Sequence, residues 1–196
     1  MAADNHMLEV PQMLLIGAFG RNSGKTTLAC QLIKAWKETV PIYALKVIGI
    51  DRANGGCHRG EAGCGICSSL CGSYEICEET GEFPDKDTAL MLAAGARKAF
   101  LLKSLRGCMD QAVVSLLAKV PDGTLVIAES NSLRNFVVPG AFVFAGFEPE
   151  KAEAMKQSAR AVFRWADFVI NPDEGHAAEA FCIRRNADGS VGVRPV

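Results

Sequence analysis

A glycine-rich segment with one lysine and two threonines near the start of the chain has the residue types needed for phosphate chemistry. Glycines let backbone N–H groups converge on phosphate oxygens. A lysine adds positive charge at the β and γ phosphates, and a threonine hydroxyl is a ligand for Mg²⁺. The segment predicts a phosphate-binding loop with these nucleotide contacts: Gly20, Arg21, Asn22, Ser23, Gly24, Lys25, Thr26 and Thr27.

The segments on either side of this loop have the patterns that such a loop needs. Residues 13–16 are all apolar and predict a buried strand, whereas residues 28–36 have helical periodicity. A helix that begins here directs the positive end of its dipole at the phosphates. The usual pattern has a glycine at the position of Phe19, so the loop departs from it at one place. Strand, loop and helix together predict nucleotide binding, with Lys25 supplying positive charge during hydrolysis.

Two charged residues accompany the second apolar run, residues 41–50, which predicts a parallel strand covered on both faces. Lys46 lies within the run, and Asp51 follows it directly. Ligands of open α/β sheets bind at the carboxyl ends of the strands. Lys46 is therefore a candidate for the terminal phosphate, and Asp51 for a water-mediated Mg²⁺ contact or a general base. The alternatives are a sheet-edge lysine that extends its charge to solvent and an aspartate that caps a turn.

Polar residues also end two later predicted strands. Glu129 follows the apolar run 124–128, where a nucleotide-hydrolysing protein usually has the carboxylate of its Mg²⁺ site, so Thr26 and Glu129 are the predicted Mg²⁺ ligands. The alternative is a loop acid without that role. Asn171 follows residues 167–170 and is a candidate for contacting the base. No Asn-Lys-x-Asp motif for guanine is present there, so the choice between ATP and GTP stays open.

Five of the eight cysteines lie within a window of 21 residues, inside a segment rich in glycine and serine, residues 52–84. They are Cys57, Cys64, Cys67, Cys71 and Cys77. Sulfur ligands at this spacing suit either Zn²⁺ or an iron–sulfur cluster, and ligation alone does not choose between them. We predict a cysteine-ligated metal site in this segment. Unligated thiols are the alternative, and His58 is a spare candidate ligand.

The order of the predicted elements indicates the fold class. Strands alternate with helices, which predicts a single α/β domain over residues 1–196: a three-layer P-loop NTPase fold with a mostly parallel sheet. The cysteine-rich segment, residues 52–84, is an insert within it. Residues 181–195 predict a C-terminal β-hairpin with its turn at residues 186–190. Later helices are predicted over residues 87–95, 109–120 and 149–165.

Composition and charge argue against several classes of partner. The chain of 196 residues has 21 basic and 22 acidic residues and a net charge of −1, so neither a nucleic-acid-binding stripe nor a basic membrane patch is predicted. No apolar run approaches the roughly 20 residues of a membrane span. The first seven residues lack the pattern of a secretory signal. We therefore expect a cytoplasmic protein without a nucleic-acid or membrane partner.

These features resemble the molybdopterin-guanine dinucleotide biosynthesis protein B family, within the class of P-loop proteins that includes dethiobiotin synthetase and the nitrogenase iron protein. The likeness covers roughly residues 12–175 and differs from the family in two further places. The family's histidine-rich segment is replaced by the cysteine window, and the glycine after its glutamate by Ser130. The residues that carry the likeness are Gly-Lys-Thr-Thr-Leu at 24–28, Lys46, Asp-Lys-Asp-Thr at 85–88, Ala-Gly-Ala at 94–96, and Glu129.

The resemblance implies binding of GTP or ATP, slow hydrolysis, homodimers, and an accessory role in making or inserting molybdenum cofactor. The implied partner is a metalloenzyme or another protein of cofactor biosynthesis. With the cysteine window, the resemblance is also compatible with a design in which nucleotide state controls a metal cluster. Two other functions stay open. One is a small-molecule kinase or ligase of the dethiobiotin synthetase type, and the other is a nucleotide-binding adaptor with little turnover.

Overall fold

The helices and strands account for most of the part of the chain that the structure describes. The structure is a computed structural model that describes residues 7–20, 23–51, 70–146 and 155–196, apart from the side chain of Glu174. The strands are β1 Leu8–Ala18, β2 Ile42–Ile50, β3 Tyr74–Glu78, β4 Lys98–Leu105, β5 Leu125–Glu129, β6 Val137–Ala145, β7 Phe168–Ile170, β8 Phe181–Arg185 and β9 Val191–Pro195. The α-helices are α1 Lys25–Trp36, α2 Asp87–Ala94, α3 Met109–Leu117 and α4 Gln157–Arg160. Short 3-10 helices comprise Arg106–Cys108, Ser132–Asn135, Phe163–Trp165, Pro172–Glu174 and Ala177–Ala180.

Seven of the described strands form one sheet, in the order β3-β4-β2-β5-β1-β6-β7. All neighbouring pairs in it are parallel except β3 and β4. The remaining two, β8 and β9, form an antiparallel hairpin. The predicted α/β class with a mostly parallel sheet and a C-terminal hairpin is therefore confirmed. Because six strands run in the same direction, their carboxyl ends meet at one edge of the sheet.

Both faces of the sheet are covered, because alternate side chains along a strand point to opposite faces. In β1, Leu14 and Ile16 belong to a buried cluster that also contains residues of α1, α2 and the hairpin. Met13 and Leu15 belong to a second cluster, with residues of α3 and of the segment around α4. The uninterrupted apolar run at residues 13–16 is what burial on two sides requires.

The strand β3 was not predicted from the sequence. It lies inside the segment 52–84 and pairs antiparallel with β4, with Tyr74 opposite Ser104. Its side chains are mostly half-buried, so its sequence lacks the apolar run that identifies the central strands. Pairing with a neighbour far along the chain, rather than a local pattern, makes this stretch a strand.

The helix predicted over residues 149–165 is wrong in its described part. The helix α4 has four residues and is followed by the 3-10 helix Phe163–Trp165. Phe163 packs against Phe19 and Phe144, with ring centroids 5.0 Å away in each case. The Lys156 N–H donates to the Phe19 carbonyl at 3.2 Å. These tertiary contacts outweigh the helix propensity of the segment.

Candidate functional site

Two hydrogen bonds join the described residues of the loop between β1 and α1. The Gly20 N–H donates to Ser23 Oγ at 3.1 Å, and Lys25 Nζ donates to the Gly20 carbonyl at 3.3 Å. Gly24 has a φ of +78°, in the left-handed region, and a Cβ there would lie 2.6 Å from Pro172 Cγ. Both conformation and space therefore require glycine at residue 24, which positions Lys25 as the first residue of α1.

The side chain of Asn131 fixes the end of β1. Its Oδ1 accepts a hydrogen bond from the Ala18 N–H at 2.8 Å, and its Nδ2 donates to the Ala18 carbonyl at 2.9 Å. The two bonds satisfy both backbone groups of Ala18 where the chain leaves the sheet. The beginning of the loop is thereby tied to the residues that follow β5.

Four polar side chains from two strands and two helices meet beside this loop. Lys46 in β2 lies opposite Glu129 in β5 in the strand register. The Lys46 Nζ lies 2.5 Å from Glu129 Oε2 and 2.7 Å from Asp87 Oδ2. The Thr26 hydroxyl donates to Asp87 Oδ1 at 3.0 Å. The alternative of a sheet-edge lysine is wrong, because β2 lies between β4 and β5 and its lysine is paired with two carboxylates.

Glu129 is the last residue of β5 and is fully buried, with 0% of its surface exposed. Its Oε2 accepts from Lys46, whereas its Oε1 is buried without a hydrogen-bond partner among the described residues. A buried carboxylate oxygen without a partner is costly, so such atoms usually indicate a missing ion or water. One oxygen of Glu129 is thus free to bind a cation or a water molecule.

Burial and neighbouring charges shift the pKa values of Lys25, Lys46 and Asp87 in different directions. Burial, followed by repulsion from Lys46, lowers the pKa of Lys25 to about 8. Burial alone would also lower the pKa of Lys46, but Glu129 and Asp87 outweigh it and raise that pKa. For Asp87, burial acts to raise the pKa, and the hydrogen bond from Lys46 holds it below its usual value. Lys46 and Asp87 are therefore firmly charged near neutral pH, and Lys25 loses its charge more readily.

A cleft of about 1410 Å³ opens at this edge of the sheet. Ligand sites of proteins commonly measure about 300–1,000 Å³, so the cleft is larger than the site of a single small ligand. The predicted nucleotide and Mg²⁺ residues that line it are Gly20, Ser23, Gly24, Lys25, Thr26, Thr27, Lys46, Asp51 and Glu129.

Some predicted residues do not join this group. Asn171 is exposed and is not among the described residues that line the cleft. Its Oδ1 accepts from the Asp173 N–H at 3.2 Å, so its side chain caps the turn that follows β7. Arg21 and Asn22 lie outside the described residues. Asp51 lies on the cleft wall just beyond β2, where either of its predicted roles is possible.

The cysteine window is described only in part, because Cys57, Cys64 and Cys67 lie outside the described residues. Cys71 is exposed, and Cys77 is half-buried in β3 and lines the cleft. The Cys77 thiol donates to Glu75 Oε1 at 3.2 Å, and burial raises its pKa. Within the described ranges, no three or more His, Cys, Asp or Glu side chains are grouped to hold a metal ion. The predicted cysteine-ligated site stays a prediction.

The oxygen donors beside the loop suit a hard cation. They are the Thr26 hydroxyl and the carboxylates of Asp87 and Glu129. Mg²⁺ in nucleotide sites is typically bound by one or two carboxylates together with phosphates and waters, so three protein oxygens are enough. The sequence did not single out Asp87 as a site residue. Its position as the first residue of α2, in a polar stretch quoted above for the family resemblance, was the available signal.

Comparison with family models, with curated proteins and with solved structures finds no match to this chain. No helix in the described parts of the chain is long and apolar enough to cross a membrane.

Proposed function

We propose that this protein is a P-loop NTPase that binds a Mg²⁺–nucleoside triphosphate, GTP or ATP, in the cleft and hydrolyses it slowly. The observation that supports this proposal is the convergence of Lys25, Thr26, Lys46 and Glu129 at one edge of the sheet. All four were predicted, from three separate places in the sequence, to serve phosphate or Mg²⁺. A chance Gly-Lys-Thr sequence would not require the two strand residues to lie beside it.

Each of these side chains has a role that its position suits. Lys25 and the N-terminus of α1 supply positive charge to the phosphates. Thr26, Asp87 and Glu129 would hold Mg²⁺, which neutralises phosphate charge when it is bound. Lys46 is within reach of the terminal phosphate, and Asp51 on the cleft wall is the candidate for orienting or deprotonating the attacking water. Catalysis by such a site is mainly positioning and charge stabilisation.

Calorimetric titration tests the proposal directly. The protein is titrated with ATP and with GTP in the presence of Mg²⁺, and phosphate release is then followed for any nucleotide that binds. We expect saturable 1:1 binding of at least one nucleotide and slow release of phosphate. If neither nucleotide binds, the proposed function is wrong.

Nucleotide affinity should fall as the pH rises above about 8, the pKa of Lys25 in the free protein. Bound phosphate favours the charged lysine, so above this pH the protein must take up a proton when it binds nucleotide. Each pH unit between the free and bound pKa costs up to about tenfold in affinity. The second pKa of a phosphate group lies near about 6, so the nucleotide itself does not titrate in this window.

Calorimetry in buffers of different ionisation enthalpy measures this proton uptake. We expect uptake of a fraction of a proton at about pH 9 and almost none at about pH 7. An affinity that is constant from about pH 7 to about pH 9 would show that nucleotide binding does not draw a proton onto Lys25 in this range.

We further propose that the protein serves metallocofactor assembly, related to molybdenum cofactor, with zinc or an iron–sulfur cluster held by the cysteine window. This proposal comes from the family resemblance and from one position in the fold. The segment that contains the window joins β2 to α2, and Cys77 in β3 lines the same cleft as Lys25. A metal with Cys77 among its ligands would lie at the wall of this cleft and could respond to the nucleotide. The implied homodimer and partner enzyme belong to the same proposal.

Replacing Cys64 and Cys67 together by serine should remove the bound metal and leave the domain folded. Cys71 and Cys77, the cysteines of the window that the structure describes, are not members of the buried clusters, so loss of the metal should leave the core packed. Metal analysis and a visible spectrum on protein purified without oxygen measure the result. A matched variant is Cys182→Ser in the C-terminal hairpin, which should keep its metal. Unchanged metal content in the double variant would contradict the proposed ligands, and global unfolding would make the site structural.

A second candidate function is favoured by the size of the cleft. A volume of about 1410 Å³ would accommodate an acceptor molecule beside the nucleotide, as a small-molecule kinase or ligase requires. Formation of nucleoside diphosphate that depends on an added acceptor would favour this function. Tight nucleotide binding with almost no phosphate release under any condition would favour an adaptor.

A further inference from the structure

The ammonium group of Lys46 lies where two carboxylates converge. It contacts Glu129 Oε2 at 2.5 Å and Asp87 Oδ2 at 2.7 Å, and the side chain of Lys46 is only 16% exposed. Asp87 in turn accepts from the Thr26 hydroxyl. Two of the three oxygen-bearing side chains that suit Mg²⁺, Asp87 and Glu129, therefore contact Lys46 directly. The third, Thr26, is connected to Lys46 through Asp87.

The charges of this group are already balanced without a metal. Lys25 and Lys46 carry two positive charges, Asp87 and Glu129 carry two negative ones, and Lys156 adds a further positive charge that acts on Lys25. A dication that enters has two alternatives. It can share the carboxylates with the Lys46 ammonium, but the two cations then repel each other at close range in a poorly solvated site. Otherwise it must displace the ammonium from the carboxylates. Displacement leaves the ammonium half-buried without an acceptor unless a new anion is supplied.

We propose that Lys46 takes the place of the metal ion in the nucleotide-free protein, so that Mg²⁺ enters only together with the nucleotide. The terminal phosphate supplies the anion that accepts the Lys46 ammonium when it leaves the carboxylates. This inference rests on the proposed function. The Lys46–Asp87 ion pair joins β2 to the first residue of α2, so the exchange also alters the connection between the sheet and the helix that follows the cysteine segment.

Binding of Mn²⁺ in the absence of nucleotide tests the proposal, since free Mn²⁺ is measured directly by electron paramagnetic resonance. The wild-type protein should bind Mn²⁺ weakly, and Lys46→Met should bind it at least about tenfold more tightly, because both carboxylates become available. Lys86→Met is the control: it removes an exposed lysine that lines the same cleft next to Asp87, and should bind Mn²⁺ as the wild type does.

The same titration with a non-hydrolysable nucleotide present gives the second measurement. In the wild type the nucleotide should tighten Mn²⁺ binding strongly, and in Lys46→Met this coupling should shrink. A folded Lys46→Met or Lys46→Gln variant that binds Mn²⁺ no more tightly than the wild type would overturn the proposal. So would wild-type protein that binds the nucleotide but holds Mn²⁺ no more tightly in its presence, once the Mn²⁺ bound by free nucleotide is subtracted, a result that needs no variant. Failure of the wild type to bind any nucleotide would instead contradict the proposed function, and the gain in Mn²⁺ affinity of Lys46→Met would still be measurable.

Discussion

Lys25→Ala is expected to weaken binding of the Mg²⁺–nucleotide by about 100-fold or more. A charge-assisted hydrogen bond contributes about 1.5–3 kcal/mol, and a lysine at the β and γ phosphates makes more than one of them. Every 1.4 kcal/mol is about a factor of ten in affinity. The fold should not suffer, because the substitution removes an ammonium whose burial already lowers its pKa to about 8. Calorimetry measures the affinity, and a thermal melt measures the stability.

The control for this experiment lies on the same helix. Lys34→Ala removes an exposed lysine from the last turn of α1 and changes the net charge by the same amount. It should leave nucleotide affinity within a factor of about two. Equal affinity of Lys25→Ala and Lys34→Ala for Mg²⁺-ATP and Mg²⁺-GTP would rule out a phosphate-binding role for this loop.

Glu129→Gln is expected to reduce the rate of nucleotide hydrolysis by about 100-fold or more and to affect binding much less. Loss of one preorganised charged group at a reacting centre commonly costs about 100- to 1,000-fold in kcat. Glutamine has almost the same shape and its amide oxygen can still accept from Lys46, so the core should stay intact. Phosphate release under single-turnover conditions measures the rate, and Mn²⁺ affinity in the presence of nucleotide reports the loss of a metal ligand.

Glu82→Gln is the matched control, because Glu82 is exposed and lines the same cleft. It should hydrolyse nucleotide at the wild-type rate. If Glu129→Gln also does so, Glu129 is only the structural partner of Lys46, and the proposed Mg²⁺ site lacks its buried ligand.

Much of the fold could be predicted, because its signals are local. The apolar run at residues 13–16 identified the central strand β1, which the structure extends to Leu8–Ala18. The helix predicted over residues 87–95 is confirmed as α2, which ends at Gly95 with a φ of +118°, as expected of a glycine C-cap. The hairpin β8–β9 was identified by its turn. In each case a few neighbouring residues carry the information.

The elements that were missed depend on distant partners. The strand β3 exists because it pairs with β4. In the described part of the predicted helix, residues 155–165, the packing of Phe163 on Phe19 and Phe144 replaces a continuous helix. Neither contact leaves a periodic pattern in the sequence. A local rule assigns such segments by composition alone and fails where long-range contacts decide.

In the candidate site, too, some features follow from local sequence and others from long-range contacts. The sequence by itself determined the chemical types and the local positions: a lysine and a threonine after a glycine-rich loop, and a glutamate at the end of a buried strand. It also contained Lys46, but left open whether that residue served a phosphate or a sheet edge. Each of these signals comes from a motif or a strand end.

Only the tertiary structure decided which of these residues meet. Lys46 and Glu129 are 83 positions apart in the chain, and they become partners because β2 and β5 are neighbours in the sheet with those two residues in register. Asp87 joins them because α2 begins at the same edge, and Asn131 holds the end of β1 there. Strand order and register are set by the packing of the whole core, so no local pattern could specify them.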